Sequence, residues 1–526
     1  MKSYKIITLI TFLSLLITTV FSQNNALQVQ ISNKIVGKNI ISNQNIEGFE
    51  YVFPDRIESF IIDSVSQLLT VQLRGSKKGG GALNNTGNVI QYSLKNKEVV
   101  WSKSVDFETF ELLKFGNLLV FNDYSRSMGI DAYTGKELWK VASYIYFANP
   151  ENNVGIAYRY IPKKGYTNEL IGVDLLTNTY DWSREIKREY GWNDHFYIND
   201  SILLVVAAGL HTINLNSGEG WDYNTTTGKK ISSSTSNDAF MVGVMFGLVG
   251  ALIYSAVANY DAVTTSIDVI RDLVSNPLID NSFVYFASYD QIAMLDLETG
   301  EKVWNTTFKK NLVSKSTLFS NDSVVYMINH GVAYRNKEQI NYGKAFFAAF
   351  DKYSGKNKYL SFLKTDKLID YKISDDAVLF LCSNQIIKYD LATGTRIVNK
   401  VYPKESLNEL NGFVDENMWI ESRNGEFICL HSVHPLNMLV NTNQWKIFAI
   451  DNQLKHTQTI FYKDLFRCFY SNDKIKLLSK KNKTYIIDHK GVKIAELDVS
   501  PNAFIIDDVL YDKQNKSFVA IDLKNF

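Results

Sequence analysis

Proline and cysteine are both scarce in this chain of 526 residues, with seven of the first and three of the second. So few prolines leave long stretches free to donate backbone hydrogen bonds, which suits strands. The cysteine count, odd and widely spaced, excludes a disulfide framework as the basis of the fold. Cys382, Cys429 and Cys468 each lie in or beside an apolar run, so they are expected as buried thiols acting as small hydrophobes. A bridge between two of them is left open. Charge of one sign is missing too. Lys and Arg number 56 against 55 Asp and Glu, a net +1 without a long block of either sign. That leaves no electrostatic case for nucleic acid as a partner.

Motifs that carry chemistry are equally thin. No G-x-S-x-G nucleophile elbow occurs, and Asp and Glu are spread over turns too evenly to select a catalytic pair. Gly79-Gly80-Gly81 follows Lys77-Lys78 but lacks the order of a phosphate-binding loop, so it is expected as a loop between two strands. His431 and His434 stand near Cys429 with no fourth ligand beside them and Pro435 next, so no metal site is expected. The other histidines, His195, His211, His330, His456 and His489, are scattered singly.

What the chain has in quantity is aromatic residues, 31 Phe and 30 Tyr among them, which favour strands. Lys2 and Lys5 precede a mostly apolar stretch from Ile6 to Val20, and Val20-Phe21-Ser22 has the small-residue form of a cleavage site. Residues 1–22 are therefore expected to be a signal peptide and 23–526 a single exported domain, periplasmic or extracellular. With no cysteine before Cys382, a lipoprotein is not expected.

One pattern recurs from end to end. Its clearest copy is Asp296-Leu297-Glu298-Thr299-Gly300-Glu301-Lys302-Val303-Trp304, after the apolar run Ile292 to Leu295. The Asp closes a strand and can accept turn N–H groups, the Gly supplies a positive φ, and the Trp anchors the returning strand. Strong copies carry Asp131, Gly135 and Trp139, and Asp174 with Trp182, where Asn178 takes the glycine place. Asp351 and Gly355 lead to Tyr359, and Asp390 and Gly394 lead only to Val398. Ser93 leads to Trp101, and Asn214 leads to Trp221 one residue early. Degenerate copies close the series at Asp451, Asp488 and Asp522. Uninterrupted copies are about 38 to 43 residues apart, the length of one four-stranded antiparallel unit. Ten copies are present, and the expected architecture is an all-β propeller of eight four-stranded blades, with seven as the alternative count and the surplus copies as insertions or half-units. Asp522 lies too near the C-terminus for a returning strand, so a segment near the mature N-terminus, around Leu27 to Ile31, is expected to close the ring.

The D-x-x-T-G-x-x-x-W copies resemble the PQQ-like, quinoprotein-type propeller repeat, most strongly from Asp131 to Gly394. The resemblance implies that the aromatic docks between blades. Quinone-cofactor dehydrogenases of that kind have an adjacent cysteine pair and an acidic calcium site. This chain has no adjacent cysteines, and no cofactor is expected. In repeat type and export the chain is similar to a propeller lipoprotein of outer-membrane β-barrel assembly, from which it departs in lacking the lipid-carrying cysteine.

Asn214 and Asp296 are 82 residues apart, about twice one unit. The excess reads as an insertion at about 225–280, with an uncharged run from Ala239 to Ala258 holding Gly243, Gly247 and Gly250. It is expected to pack on the propeller; membrane contact through 239–258 and partner binding are the alternatives. The function expected is a non-catalytic protein-binding or envelope scaffold. The competing expectation is a quinone-cofactor oxidoreductase or small-ligand binder using the central channel.

Overall fold

The stretch 278–307 shows how these residues make this structure. Phe283–Ser288 and Gln291–Asp296 are almost continuously buried, whereas Lys302–Thr307 buries chiefly Trp304. A strand covered on both faces by neighbouring sheets must be apolar along its length, and one at the rim needs only an inward anchor. With Leu278–Asp280 they pair antiparallel in chain order.

The computed structural model describes residues 28–526 apart from 78–81, 108–109, 124–125, 231–268, 310–311, 336–337, 366, 384, 402–409, 416, 423, 431–437, 443–445, 452, 463, 482, 501 and 525. Residues 1–22, expected as a signal peptide, and the 239–258 run both lie outside the described residues. Among the described residues, eight separate four-stranded sheets are present, along with one eleven-stranded sheet and two short two-stranded ones. The eleven-stranded sheet contains two further four-strand groups, 465–497 and 504–522 with Asn45–Val52. Ten units therefore follow one another: 56–106, 110–141, 147–185, 192–224, 278–307, 316–362, 368–401, 410–461, 465–497, and 504–522 completed from the N-terminus. This differs from the eight blades expected. Each of the ten repeat copies ends or directly follows the third strand of a unit of its own, and the weak copies at Asp451, Asp488 and Asp522 are not half-units.

Apolar clusters join each unit to the next and the tenth to the first. Val89 of unit one packs with Leu119 of unit two, and Tyr158 of unit three with Leu203 of unit four. Leu204 of unit four packs with Val284 of unit five. Leu477 of unit nine packs with Leu510 of unit ten, and Phe518 of unit ten with Ile57 and Tyr92 of unit one. The circuit closes as a propeller does.

Closure comes from Asn45–Val52, which pairs with Ser517–Asp522 as the outer strand of unit ten. The strand Gln30–Asn39 pairs back on it and also reaches Lys493–Leu497 of unit nine. The N-terminus closes the ring as expected, but with Asn45–Val52 rather than Leu27 to Ile31. Residues 30 and 31 instead begin the hairpin's other strand, which laces two units together along their outer edges.

Strand direction alternates within a unit. The hairpin between second and third strands therefore lies on the same face as the connection to the next unit; this is the connection face. The Asp–Gly turns between third and fourth strands lie on the opposite, turn face.

Candidate interaction face

The repeat residues form a hoop on the turn face. Asp131 Oδ1 accepts from the Thr134 amide at 2.7 Å and its hydroxyl at 2.8 Å. Asp296 does the same for Thr299 at 2.7 and 2.9 Å, and Asp390 for Thr393 at 2.7 and 2.8 Å. Asp351 uses Ser354, and Asp174 the amides of Leu176 and Thr177. The Thr299 amide and hydroxyl hold the Asp296 carboxyl below the usual range, as the Thr393 hydroxyl and amide do for Asp390. These carboxylates are consumed by their own turns and are not available for acid–base work.

The glycines take left-handed backbone at Gly135, Gly300, Gly355 and Gly394, with φ between 66 and 71°. Each is covered by the aromatic of the preceding unit: Trp101 on Gly135, Trp221 on Gly300, Trp304 on Gly355 and Tyr359 on Gly394. A hydrogen bond fixes each ring. Trp101 Nε1 donates to Ala132 O and Trp221 Nε1 to Leu297 O, both at 2.9 Å. Trp304 Nε1 donates to Lys352 O at 3.1 Å, and the Tyr359 hydroxyl to Leu391 O at 2.7 Å. Trp182 covers Gly218 in the same way and packs on Gly172 of its own unit. Trp139 packs on Gly129 of its own unit and shares a cluster with Leu175 of unit three.

After unit seven the hoop lapses and strand pairing replaces it. Val398 and Leu454 share an apolar cluster where Trp and Gly stood, and Leu454 itself has φ 58°. Unit eight sends out a hairpin, Met418–Glu421 and Phe427–Cys429, whose first strand pairs with Leu465–Ser471 of unit nine. Units nine and ten are joined by the N-terminal hairpin.

The connection face is where the described structure departs from plain repetition. Lys229–Lys230 pairs with Val269–Ile270, so the segment between them leaves and rejoins at adjacent positions. Arg271 then exchanges backbone hydrogen bonds with Tyr334, at 2.8 and 3.2 Å. Tyr334 belongs to Val332–Arg335, which pairs with Glu338–Asn341 as an excursion between the second and third strands of unit six. These strands make a crossbar that reaches from the end of unit four to unit six, past unit five. Its root is tied down by charge and hydrogen bonds. Lys230 pairs with Glu189 at 2.9 Å, Arg271 Nη2 donates to Trp192 O at 2.9 Å, and Asn193 Nδ2 donates to Asp272 Oδ1 at 2.8 Å. The Lys315 ammonium lies 4.9 Å from the Tyr334 ring centroid.

Beside the crossbar the same face carries a buried polar cluster. Tyr144 donates to Glu111 Oε2. Burial pushes the Glu111 carboxyl up to about 7, against a hydrogen bond from Asn122. Arg188, 5 % exposed, lies over the rings of Tyr158 and Tyr166 at 5.3 and 5.0 Å. Burial pushes Tyr166 up to about 12 and holds the His195 imidazole below its usual range. Tyr160, Tyr190, Tyr289 and Tyr342 are partly exposed on this face. Such side chains present an apolar body and a polar tip.

Of the crossbar, Lys229–Lys230 and residues 269–271 fall within the insertion expected at about 225–280, whereas nothing in the sequence marked Val332–Arg335 and Glu338–Asn341. The spacing held the signal: Asp296 to Asp351 is 55 residues and Asp390 to Asp451 is 61. Each excess holds one of the extra hairpins. Of the other candidates, His211 is buried between Asp222 Oδ1 at 2.6 Å and Ala207 O at 2.7 Å, a structural bridge within unit four. None of the three cysteines forms a disulfide, with Cys382 and Cys468 buried and Cys429 half-buried. His431, His434 and Gly79–Gly81 lie outside the described residues. Among the described residues no three His, Cys, Asp or Glu side chains are grouped to hold a metal ion. Among them, too, no helix is long and apolar enough to cross a membrane.

No curated protein matches this chain in sequence. Among solved structures, BamB from Moraxella catarrhalis is 13% identical, with 74% of this chain and 96% of that one covered and a TM-score of 0.28. Apo AztD from Citrobacter koseri is 11% identical, covering 75% and 94%, with a TM-score of 0.30. A europium-containing methanol dehydrogenase is 9% identical, covering 71% and 82%, with a TM-score of 0.28. The sequence profile of one family matches residues 85–359, over half of the chain, and spans the strongest of the repeat copies. By that match the chain belongs to the PQQ-like propeller family described as outer membrane protein assembly factor BamB.

Proposed function

We propose that this chain is an exported, non-catalytic scaffold that binds other proteins of the cell envelope through its connection face, with residues 1–22 as its leader and the remainder as one propeller domain. The observation that carries the reading is the crossbar joining Arg271 to Tyr334. A plain propeller needs no such structure for stability. It raises an ordered polar and aromatic platform beside the partly exposed tyrosines, and rigid platforms of this composition suit protein recognition. The family's description, an assembly factor of the outer membrane, supports a binding role over a catalytic one. So does the use of the repeat aspartates inside their own turns.

The test is a pull-down from envelope extract with the chain beginning at Gln23, alongside the same chain lacking Ala239–Ala258 and the variant Tyr334→Ala. The expected result is specific capture of an envelope protein by the intact chain, weakened at least tenfold by Tyr334→Ala. Absence of any capture above a control propeller, with folding verified, would overturn the reading. Capture undiminished by Tyr334→Ala would move the contact off the crossbar.

A further inference from the structure

Ring closure brings together three stretches that are remote in sequence. Arg56, Ile57 and Phe60 of unit one, Asn502 in the connection between units nine and ten, and Lys513 and Asn515 of unit ten line a cleft of about 250 Å³ on the connection face. Its charge is one-sided. Among the described residues, Arg56 and Lys513 are its only charged lining residues. Outside the lining, Glu58 forms a loose ion pair with Arg56, its Oε2 4.0 Å from Nε and beyond hydrogen-bond distance, and Lys513 Nζ donates to the Glu58 carbonyl at 3.3 Å. Asp512 is buried beneath and accepts from the Ser500 amide at 3.3 Å, while Lys34 is taken by Glu50 at 2.7 Å. Burial and the Arg56 charge hold the half-buried Lys513 ammonium below the usual lysine range, with Glu58 opposing.

Part of the lining is apolar. Ile57 is 1 % exposed, and Phe60 is fixed by stacking on Phe504 at 5.2 Å and meeting Phe518 edge-on at 4.5 Å. Two cations held together at the mouth of a partly desolvated cleft repel each other, and an anion placed between them relieves that cost through charge-assisted hydrogen bonds. The volume falls below the roughly 300–1,000 Å³ of drug-sized pockets, which limits the occupant to a small molecule.

We propose that this cleft binds a small organic anion, a carboxylate or phosphate whose apolar group lies on Phe60 and Ile57 while its charge sits between Arg56 and Lys513. The site exists only in the closed ring, because its two cations come from the first and last units.

Calorimetric titration of the chain beginning at Gln23 with phenyl phosphate and with benzoate, at fixed ionic strength against sodium chloride, tests this. One site is expected, weakened about tenfold or more in Lys513→Gln and in Arg56→Gln and partly restored in Lys513→Arg. The stronger probe identifies whether phosphate or carboxylate is preferred. Arg56 is half-exposed, so its variant keeps the test open if Lys513→Gln fails to fold. Heats equal to those of sodium chloride for both probes, or unchanged affinity in both charge-removing variants, would overturn the proposal.

Discussion

The indole of Trp304 packs on the backbone of Gly355 in the next unit, and its Nε1 donates to Lys352 O at 3.1 Å. A Cβ at Gly355 would collide with the ring, and its φ of 69° disfavours any other residue. One glycine thus serves both a turn and an interface. Repeated with Trp or Tyr at five of the six junctions from unit one to unit seven, this contact turns a local hairpin signal into a ring.

Gly355→Ala should therefore cost more than the about 1–2 kcal/mol of left-handed strain alone. Gly116 provides the control. Its φ is 55° and nothing lies within 4 Å of the place its Cβ would take, so Gly116→Ala should show only the strain. Trp304→Ala should cost about 3–5 kcal/mol. Denaturant unfolding of the three variants measures all of this; equal losses at Gly355 and Gly116 would refute the double role.

Glu111 gives the stability a pH signature. Its folded pKa of about 7 lies above the ordinary carboxyl value of 4.5, so the folded state holds the extra proton. The stabilisation is complete below about 4.5 and is lost as pH rises through 7, by up to about 3 kcal/mol. Glu111→Gln mimics the neutral acid. Its stability relative to the unmodified chain should rise across that window and level off above pH 8. A flat difference would show the carboxyl to be ionised throughout.

The thiols should react in a fixed order. Burial pushes Cys382 up to about 11 and raises Cys468 as well. Cys429 is half-buried in the hairpin sent out by unit eight. A thiol reagent at pH 8 should label Cys429 first and Cys382 last, with three equivalents taken up after unfolding. Labelling of Cys382 at the rate of Cys429 would contradict its burial.

The fold was legible because its signal is local. Asp, Gly and Trp at fixed offsets encode a turn and a docking anchor within nine residues, so Asp131 and Asp296 announced their units unaided. The count was harder, since Asp451, Asp488 and Asp522 sit in units whose neighbours are held by strand pairing. Nothing there selects for Trp, although Gly491 still takes φ 84° against the Phe427 backbone of the hairpin sent out by unit eight. The outer strand of unit ten comes from Asn45–Val52, more than 460 residues from its partner in sequence, and no local pattern marks such a pairing. The half of the crossbar in unit six, Val332–Arg335 with Glu338–Asn341, and the seam cleft escaped for the same reason. Arg271 meets Tyr334, and Arg56 meets Lys513, only once the ring is built.

The most direct test of a ring closed by its N-terminus compares thermal unfolding of the chain beginning at Gln23 with one beginning at Phe53. The shorter chain lacks the outer strand of unit ten and the strand lacing it to unit nine. A lower Tm is expected, with the single transition splitting or broadening as the last units come loose from the first. An unchanged Tm with an equally sharp transition would mean that the ring does not depend on this closure.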